Sequence, residues 1–322
     1  MLTPLPSGYP PPPLCAPLAL VAHDAGAANH LLAWYDAGLL GPAHLVRPCL
    51  AGPALALWGG RGPVLALEPA LDGACAVLSG TGWASSLEHE ARRAARARGL
   101  PSVAVLDHWT NYPQRFEREC ERDGKHVSEG VLPDALWVSD AHARALAEAS
   151  FPGVPVAELP NLYLQQQAAR IGPPPAAIAG APARVLYVLE PLRGSWGALP
   201  QPGELLALDF FAEHLALLGL QGAAVRLRPH PSDPPGKYDA WLARHAALGA
   251  TLDDSASLAD ALAWADTVAG CQTYAMVVAL AAGRRVVSSV PPWAPPCVLP
   301  HPAIVHLSAL LPHAAPPRAL ST

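Results

Sequence analysis

Short apolar runs alternate with helix-forming stretches along most of this chain, and that alternation limits its fold more than any other feature. Leu18–Ala22, Ala43–Val46, Ala76–Leu78, Val103–Leu106 and Ala135–Val138 read as buried strands. Ala27–Tyr35, Ser85–Arg98 and Ala141–Ser150 read as the helices among them, with Asp140 placed to N-cap the last. The rhythm lapses between Leu164 and Ala183, where Gln165-Gln166-Gln167 and Pro173-Pro174-Pro175 suggest a linker. It restarts with strands at Arg184–Leu189, Ala223–Leu227, Thr267–Ala269 and Arg285–Ser289. Between them lie helices at Glu204–Leu218, Lys237–Ala247, Leu258–Trp264 and Thr273–Ala282. A βαβ rhythm implies a parallel sheet covered on both faces. The expected fold class is therefore α/β, two Rossmann-like doubly wound domains with an interdomain cleft. The expected boundaries are a proline-rich tail (1–16), an acceptor-side domain (17–164), a linker (165–183) and a nucleotide-sugar domain (184–322).

Composition narrows the functional classes. The chain has 322 residues, enough for two sizeable cores, and is 51% hydrophobic against 15% charged, which excludes bulk disorder. A net charge of −5 argues against a nucleic-acid partner, which calls for a basic face. The basic run Arg92, Arg93, Arg96 and Arg98 reads as an exposed helix face, with an anionic membrane surface or acidic glycan as its minor reading. Six cysteines are scattered without metal-ligand or disulfide-framework spacing, so no metal is expected. The first residues lack the basic and apolar regions of a signal peptide, and no apolar run reaches the roughly 18 residues of a membrane span. The expectation is a cytoplasmic protein, with peripheral association at the inner membrane surface left open.

Ligands of doubly wound sheets bind beyond the carboxyl ends of the strands, so polar residues at strand tips are the candidates. In the first half, His23-Asp24-Ala25-Gly26-Ala27-Ala28-Asn29 leads from a strand into a helix. Asp24, Gly26 and Asn29 are candidates there, although Asp24 serves equally as an N-cap and Gly26 as a turn residue. Gly80-Thr81-Gly82-Trp83 follows the third strand, and its glycines permit close backbone approach. Thr81, Gly82, Trp83 and Glu88 are sugar-binding candidates, against the plainer reading of Ser85 and Glu88 as a capping box. Asp107-His108-Trp109-Thr110-Asn111-Tyr112 packs an acid, an imidazole, aromatics and an amide into one tip of a chain only 6% aromatic. Asp107 suits a general base or a nucleophile, and Trp109 or Tyr112 a platform for a sugar face. His108, Asn111 and Arg115 complete that set; a capped helix start beside a half-buried Trp is the structural alternative.

In the second half Glu190 sits at a strand tip, where it suits a ribose or a base, or else pairs with Arg193. Arg228-Pro229-His230-Pro231 places a cation and an imidazole at the next tip: Arg228 to neutralise phosphate, His230 to donate to it or to protonate a leaving group. Gly270-Cys271-Gln272-Thr273 opens an apolar helix whose first N–H groups suit a phosphate. Gln272 and Thr273 are candidates, with Thr273 as a plain N-cap the alternative, and Ser288 adds a hydroxyl.

Arg228-Pro229-His230-Pro231 and Gly270-Cys271-Gln272-Thr273 resemble motifs of GT-B-type glycosyltransferases. They are most similar to bacterial capsule and lipopolysaccharide enzymes of the sialyl- and Kdo-transferase kind. The resemblance implies a CMP-linked nucleotide sugar as co-substrate, no other cofactor, and a glycan or lipid-linked acceptor. It implies that His230 and Pro231 contact the donor phosphate together with the Thr273 helix start. The acidic pair before glycine expected of several sialyltransferases is reduced here to Asp24 alone, so Asp107 is the other carboxylate for that role. A base gives inversion and a nucleophile retention. Two rivals stand beside transfer: epimerisation or hydrolysis of the nucleotide sugar on the same fold, and a non-catalytic glycan- or nucleotide-binding subunit.

Overall fold

A computed structural model describes residues 14–122, 125–176 and 180–311. The chain divides into two compact units, Met1–Tyr163 and Leu164–Thr322. Unit 1 runs β1 (Leu18–Ala22), α1 (Ala25–Asp36), β2 (Val46–Leu50), α2 (Gly52–Trp58), α3 (Leu67–Leu71), β3 (Ala76–Ser79), α4 (Leu87–Arg98) and β4 (Ser102–Val105). It continues with β5 (Glu117–Arg122), β6 (Lys125–Gly130), β7 (Ala135–Val138), α5 (Ala141–Ser150) and β8 (Val156–Glu158). Six strands form one parallel sheet in the order β2-β1-β3-β4-β7-β8, and β5 pairs with β6 in a separate antiparallel hairpin.

Alternation along β1 shows why the sheet is covered on both faces. Leu18, Leu20 and Ala22 pack with Leu31 and Trp34 of α1. Ala19 and Val21 pack on the other side with Ala70 of α3 and Ala91 and Ala95 of α4. Each such leucine contributes about 1.5–3 kcal/mol by leaving water.

Three sequence expectations change here. The strand expected at Ala43–Val46 is a 3₁₀ turn, Ala43–Leu45, followed by β2. β2 contains Pro48, and as an edge strand it tolerates the missing N–H. The basic run is not one exposed face. Arg92 is buried, donating to the carbonyls of Gly80 (3.0 Å) and Val131 (3.2 Å), with its guanidinium 5.0 Å from the Phe116 ring centroid. The linker expected from residue 165 begins as helix α6 (Leu162–Ile171), which takes in all three glutamines.

Unit 2 runs β9 (Arg184–Val188), α7 (Gly203–Glu213), β10 (Ala224–Arg228), α8 (Asp239–Arg244), β11 (Thr251–Leu252) and α9 (Leu258–Trp264). It ends with β12 (Thr267–Gly270), α10 (Tyr274–Ala281), β13 (Arg285–Ser288) and β14 (Val305–His306). All six strands are parallel, ordered β11-β10-β9-β12-β13-β14. Helices α7 and α8 stop short of their expected ends, at histidines. The rings of His214 and His245 each hydrogen-bond the carbonyl four residues back, at 2.8 and 3.0 Å, and short 3₁₀ turns follow. Both sheets reverse strand order beside their first strand, at β1/β3 and at β9/β12.

Candidate functional site

Register brings the tips of unit 1 level with one another. Val21 pairs with Ser79, and Ser79 with Ala104, so His23-Asp24, Gly80-Thr81-Gly82 and Asp107 all leave the sheet at its carboxyl edge. There the first turn of α1 receives two carboxylates. Asp24 occupies the N-cap position without a side-chain cap bond. Its Oδ2 accepts from the Trp83 N–H (3.1 Å) and its Oδ1 lies 2.7 Å from His23 Nδ1. Asp107 lies over Gly26 so closely that a Cβ there would fall 1.7 Å from Asp107 Oδ2. Asn29 sits one turn further along α1. Gly82 has the same purpose as Gly26, since its Cβ would fall 2.2 Å from Asp24 Oδ2.

Arg115 compensates Asp107. Its Nη1 donates to Asp107 Oδ1 (2.5 Å) and to Thr81 Oγ1 (3.2 Å), and its Nε donates to the Thr110 carbonyl (3.2 Å). Burial would push the Asp107 carboxyl up, but the charges of Arg115, His30 and His108 outweigh it and hold the group below its ordinary value. His108 is itself pushed down, chiefly by burial, against the pull of Asp107. Asp107 is thus a permanent anion next to a helix N-terminus.

Several candidates turn out to be engaged inside the unit. The Thr81 hydroxyl donates to the Val105 carbonyl (2.8 Å). Glu88 forms no capping box: it points inward, accepts the His23 N–H (2.8 Å), and burial raises its pKa. Ser86, not Ser85, holds the N-cap position of α4. Trp109 and Tyr112 are only 6% and 3% exposed, which removes both as platforms for a sugar. Trp109 instead donates to Asp140 (3.0 Å), the side chain that caps α5. The exposed aromatic is Trp83, at 53%, with Arg115 5.7 Å from its ring centroid. Asn111 is exposed in a left-handed turn (φ 57°). Sequence reading missed His23, whose ring rests on Gly52 at the start of α2, and Arg118, which donates to the Gly82 carbonyl (2.5 Å).

In unit 2 the register is equally telling. Val188 pairs with Arg228 on one side and Gly270 on the other, so Leu189-Glu190, Pro229-His230 and Cys271-Gln272 leave the sheet side by side. Glu190 accepts the backbone N–H of Gln272, while its Oε1 is buried with no hydrogen-bond partner among the described residues. Burial, with the like charge of Glu204 adding to it, pushes this carboxyl up to about 7 despite that N–H. The pairing with Arg193 is not formed: the Arg193 backbone N–H donates to Glu204 instead (2.6 Å).

The His230 ring is oriented locally. Its Nδ1 accepts the Ser232 N–H (3.2 Å) and lies 2.8 Å from Ser232 Oγ. A backbone N–H can only donate, so in the neutral ring the proton sits on Nε2. The loop is fixed by Asp233, which accepts from the His230 N–H (3.0 Å), Tyr238 (2.8 Å) and Lys237 (2.6 Å). Lys237 also donates to the buried Glu204 (2.6 Å). The spacing of Asp233 and Lys237, four residues apart, was the readable sign of this network. Pro231 is exposed beside the ring.

Other candidates of unit 2 have partners. Arg228 forms a close ion pair with Asp253, whose side chain is fully buried, and so carries no spare charge. Thr273 caps α10, accepting from Ala275 N–H (3.4 Å), and Gln272 Oε1 accepts from Val298 N–H (3.3 Å). The buried Ser288 hydroxyl donates to the Cys271 carbonyl (2.7 Å). Among the described residues no cluster of three or more metal-ligating side chains exists, and no helix is long and apolar enough to cross a membrane.

No protein-family profile matches the sequence, and no curated protein does. Solved structures do. A UDP-GlcNAc 2-epimerase from Neisseria meningitidis bound to UDP-GlcNAc superposes with a TM-score of 0.52 at 10% identity, covering 84% of this chain and 82% of that one. A putative UDP-N-acetylglucosamine 2-epimerase from Listeria monocytogenes gives 0.53 at 10% identity, with 84% and 78% covered. The MnaA–UDP complex of S. aureus gives 0.53 at 11% identity, with 84% and 78% covered. The fold is GT-B-like. Each doubly wound domain of this GT-B-like chain carries its polar strand tips at the carboxyl edge of its own sheet, beside the point where strand order reverses.

Proposed function

We propose that this chain is an enzyme acting on a nucleotide sugar, a glycosyltransferase passing the sugar to a glycan or lipid-linked acceptor in surface polysaccharide synthesis. The observation that carries the reading is the β9/β12 edge of unit 2. There a protonatable carboxyl, an imidazole presenting Nε2–H and the N-terminus of α10 stand on adjacent strand tips. Helix N–H groups and an imidazole suit the phosphate of a departing nucleotide, and they stabilise its charge without a metal. With Arg228 neutralised by Asp253, the phosphate charge falls to His230 and to α10, capped by Thr273. Glu190 suits the ribose or the base. In unit 1, Asp24, Asp107 and the exposed Trp83 suit the sugar or the acceptor.

The Arg-Pro-His-Pro stretch supports a CMP-linked donor; the nucleotides held by the structural neighbours support UDP. Calorimetry against CMP, UDP and GDP separates them, with one of the three expected to bind at about 1 mM or tighter. A folded His230→Ala protein with an undiminished turnover rate would refute the assignment of that ring.

A second reading is favoured by the state of Asp107. A carboxylate held low by Arg115 is a weak base toward an acceptor hydroxyl and suits a developing positive charge better. Donor-only chemistry, epimerisation or hydrolysis, has no acceptor hydroxyl to deprotonate, and takes its proton from a sugar C–H or from water through a base other than Asp107. Product analysis of UDP-GlcNAc and CMP-sialate incubations without acceptor distinguishes the two, since transfer predicts intact donor.

A further inference from the structure

Unit 2 also has a cavity of about 710 Å³ at the opposite, amino edge of its sheet. Its walls come from the first residues of β9 and β10 (Arg184, Ala224) and from Arg226 two residues further along β10, from Thr251 of β11, from Trp264 at the end of α9 and from Asp266 just before β12. Pro182 and Ala183 supply an apolar side. The volume falls within the roughly 300–1,000 Å³ of small-ligand pockets. The strand tips that carry Glu190, His230 and Thr273 contribute nothing to it, so it is independent of the function proposed above.

Two arginines give this cavity its chemistry. Arg184 stands opposite Ala224 and Arg226 follows two residues on, so both side chains leave one face of the sheet. Neither guanidinium makes a hydrogen bond among the described residues. The nearest carboxylates are only loosely placed: Arg184 Nε is 3.8 Å from Asp266 Oδ2, and Arg226 Nη1 is 3.9 Å from Asp253 Oδ1. Both carboxylates have closer partners, Asp266 in the Arg184 backbone N–H (2.8 Å) and Asp253 in Arg228. Arg226 is held in place from one side by Trp264, whose ring centroid lies 4.1 Å from its Cζ. That stacking fixes the guanidinium plane and leaves its edge N–H groups for a ligand. The two side chains stay 31% and 32% exposed, within reach of solutes.

We propose that this cavity is a second ligand site, taking a small organic anion. Its carboxylate or phosphate would meet Arg184 and Arg226, and its flat apolar body would lie against Pro182 and Ala183. Arginine is suited to both heads through paired N–H donors, so the experiment compares them. Full-length protein is titrated by calorimetry with benzoate, phenyl phosphate and inorganic phosphate. Benzoate, phenyl phosphate or both bind, at least about tenfold more tightly than inorganic phosphate, which lacks the apolar body. Arg226→Gln and Arg184→Gln each weaken that binding by about tenfold or more. Thr251→Trp, a change at an exposed wall residue that pairs with Arg226 and sets an indole beside it, abolishes it and covers the case in which an arginine variant fails to fold. His230→Ala leaves it unchanged. The proposal is overturned if neither aromatic anion binds, if inorganic phosphate binds as well as they do, or if Thr251→Trp binds them as the parent does. Loss of binding in His230→Ala overturns it too, by moving the anion to the carboxyl edge.

Discussion

The carboxyl edges of the two sheets are built alike and charged differently. Each presents an acid on a strand tip beside a helix N-terminus, Asp107 over α1 and Glu190 next to α10. Unit 1 supplies its acid with a guanidinium at 2.5 Å; unit 2 gives Glu190 one backbone N–H and a like-charged neighbour, Glu204. Asp107 is consequently an anion at every working pH, whereas Glu190 exchanges its proton near neutrality. Two similar frames thus hold one fixed charge and one group able to act as acid or base.

The largest test of this contrast is to make unit 1 resemble unit 2. Arg115→Met strands Asp107 without its cation and removes the bonds to Thr81 and Thr110. A loss of about 3 kcal/mol is expected in urea unfolding, since breaking one side of a largely buried pair leaves an uncompensated charge. Adding Asp107→Asn should recover a substantial part. If the double variant is as unstable as the single one, the charge contrast is not what Arg115 maintains.

The pH dependence of stability should differ in sign between the two acids. Asp107 titrates below its unfolded value, so its contribution is present above that value and is lost as pH falls through the folded pKa. Glu190 titrates above its unfolded value, near 7 instead of 4.5. The folded state therefore binds the extra proton, and stability drops as pH rises from about 4.5 through 7. The difference between 4.5 and about 7 corresponds to about 3–4 kcal/mol at most. Glu190→Gln should remove that decline, and unfolding curves between pH 5 and 8 check it. Parallel profiles for the variant and the parent would mean that Glu190 is ionised throughout.

Much of this contrast was legible in sequence and some was not, for identifiable reasons. Strand tips were readable because buried parallel strands are short apolar runs, and Asp107, Glu190 and His230 each lie two residues beyond the end of such a strand. Pairing was not readable. Arg115 is eight residues from Asp107 and Asp253 is 25 from Arg228, distances that only the folded sheet closes. Arg92 was misread because it shares a helix with exposed arginines, while Ala91 and Ala95 set the buried face that takes it inward. The α6 helix was missed because Gln and Ala form helices well without an apolar stripe, and Ile171 is its only buried residue among those described. The β5–β6 hairpin is charged along most of its length, although Asp123-Gly124 between its strands is a strong hairpin signal in sequence.

A smaller effect is expected where backbone, not charge, brings the acid of unit 1 to its helix. Gly26→Ala puts a methyl group where Asp107 Oδ2 now lies, and the carboxylate, tethered by Arg115, has little room to withdraw. The expected cost is about 1–3 kcal/mol of overpacking. Ala25→Gly, at the half-buried first position of the same helix, should cost at most about 1 kcal/mol through helix propensity. Urea midpoints for the pair tell close approach from helix propensity, and equal losses would mean that the Asp107–Gly26 contact is loose.

The smallest expected effect concerns how unit 2 orients its imidazole. Ser232 contacts His230 Nδ1 through both its N–H and its hydroxyl. The N–H cannot be removed by changing the side chain, so Ser232→Ala should leave the Nε2–H tautomer in place and cost at most about 1 kcal/mol. Long-range ¹⁵N–¹H correlation of the ring reads the tautomer directly, with the Nδ1 shift remaining that of an unprotonated nitrogen in parent and variant. An Nδ1–H signal in Ser232→Ala would assign the orientation to the hydroxyl and make it adjustable by side chain. Persistence of Nε2–H would mean that the backbone of the turn sets the tautomer, leaving charge pairing as the main way in which the two edges differ.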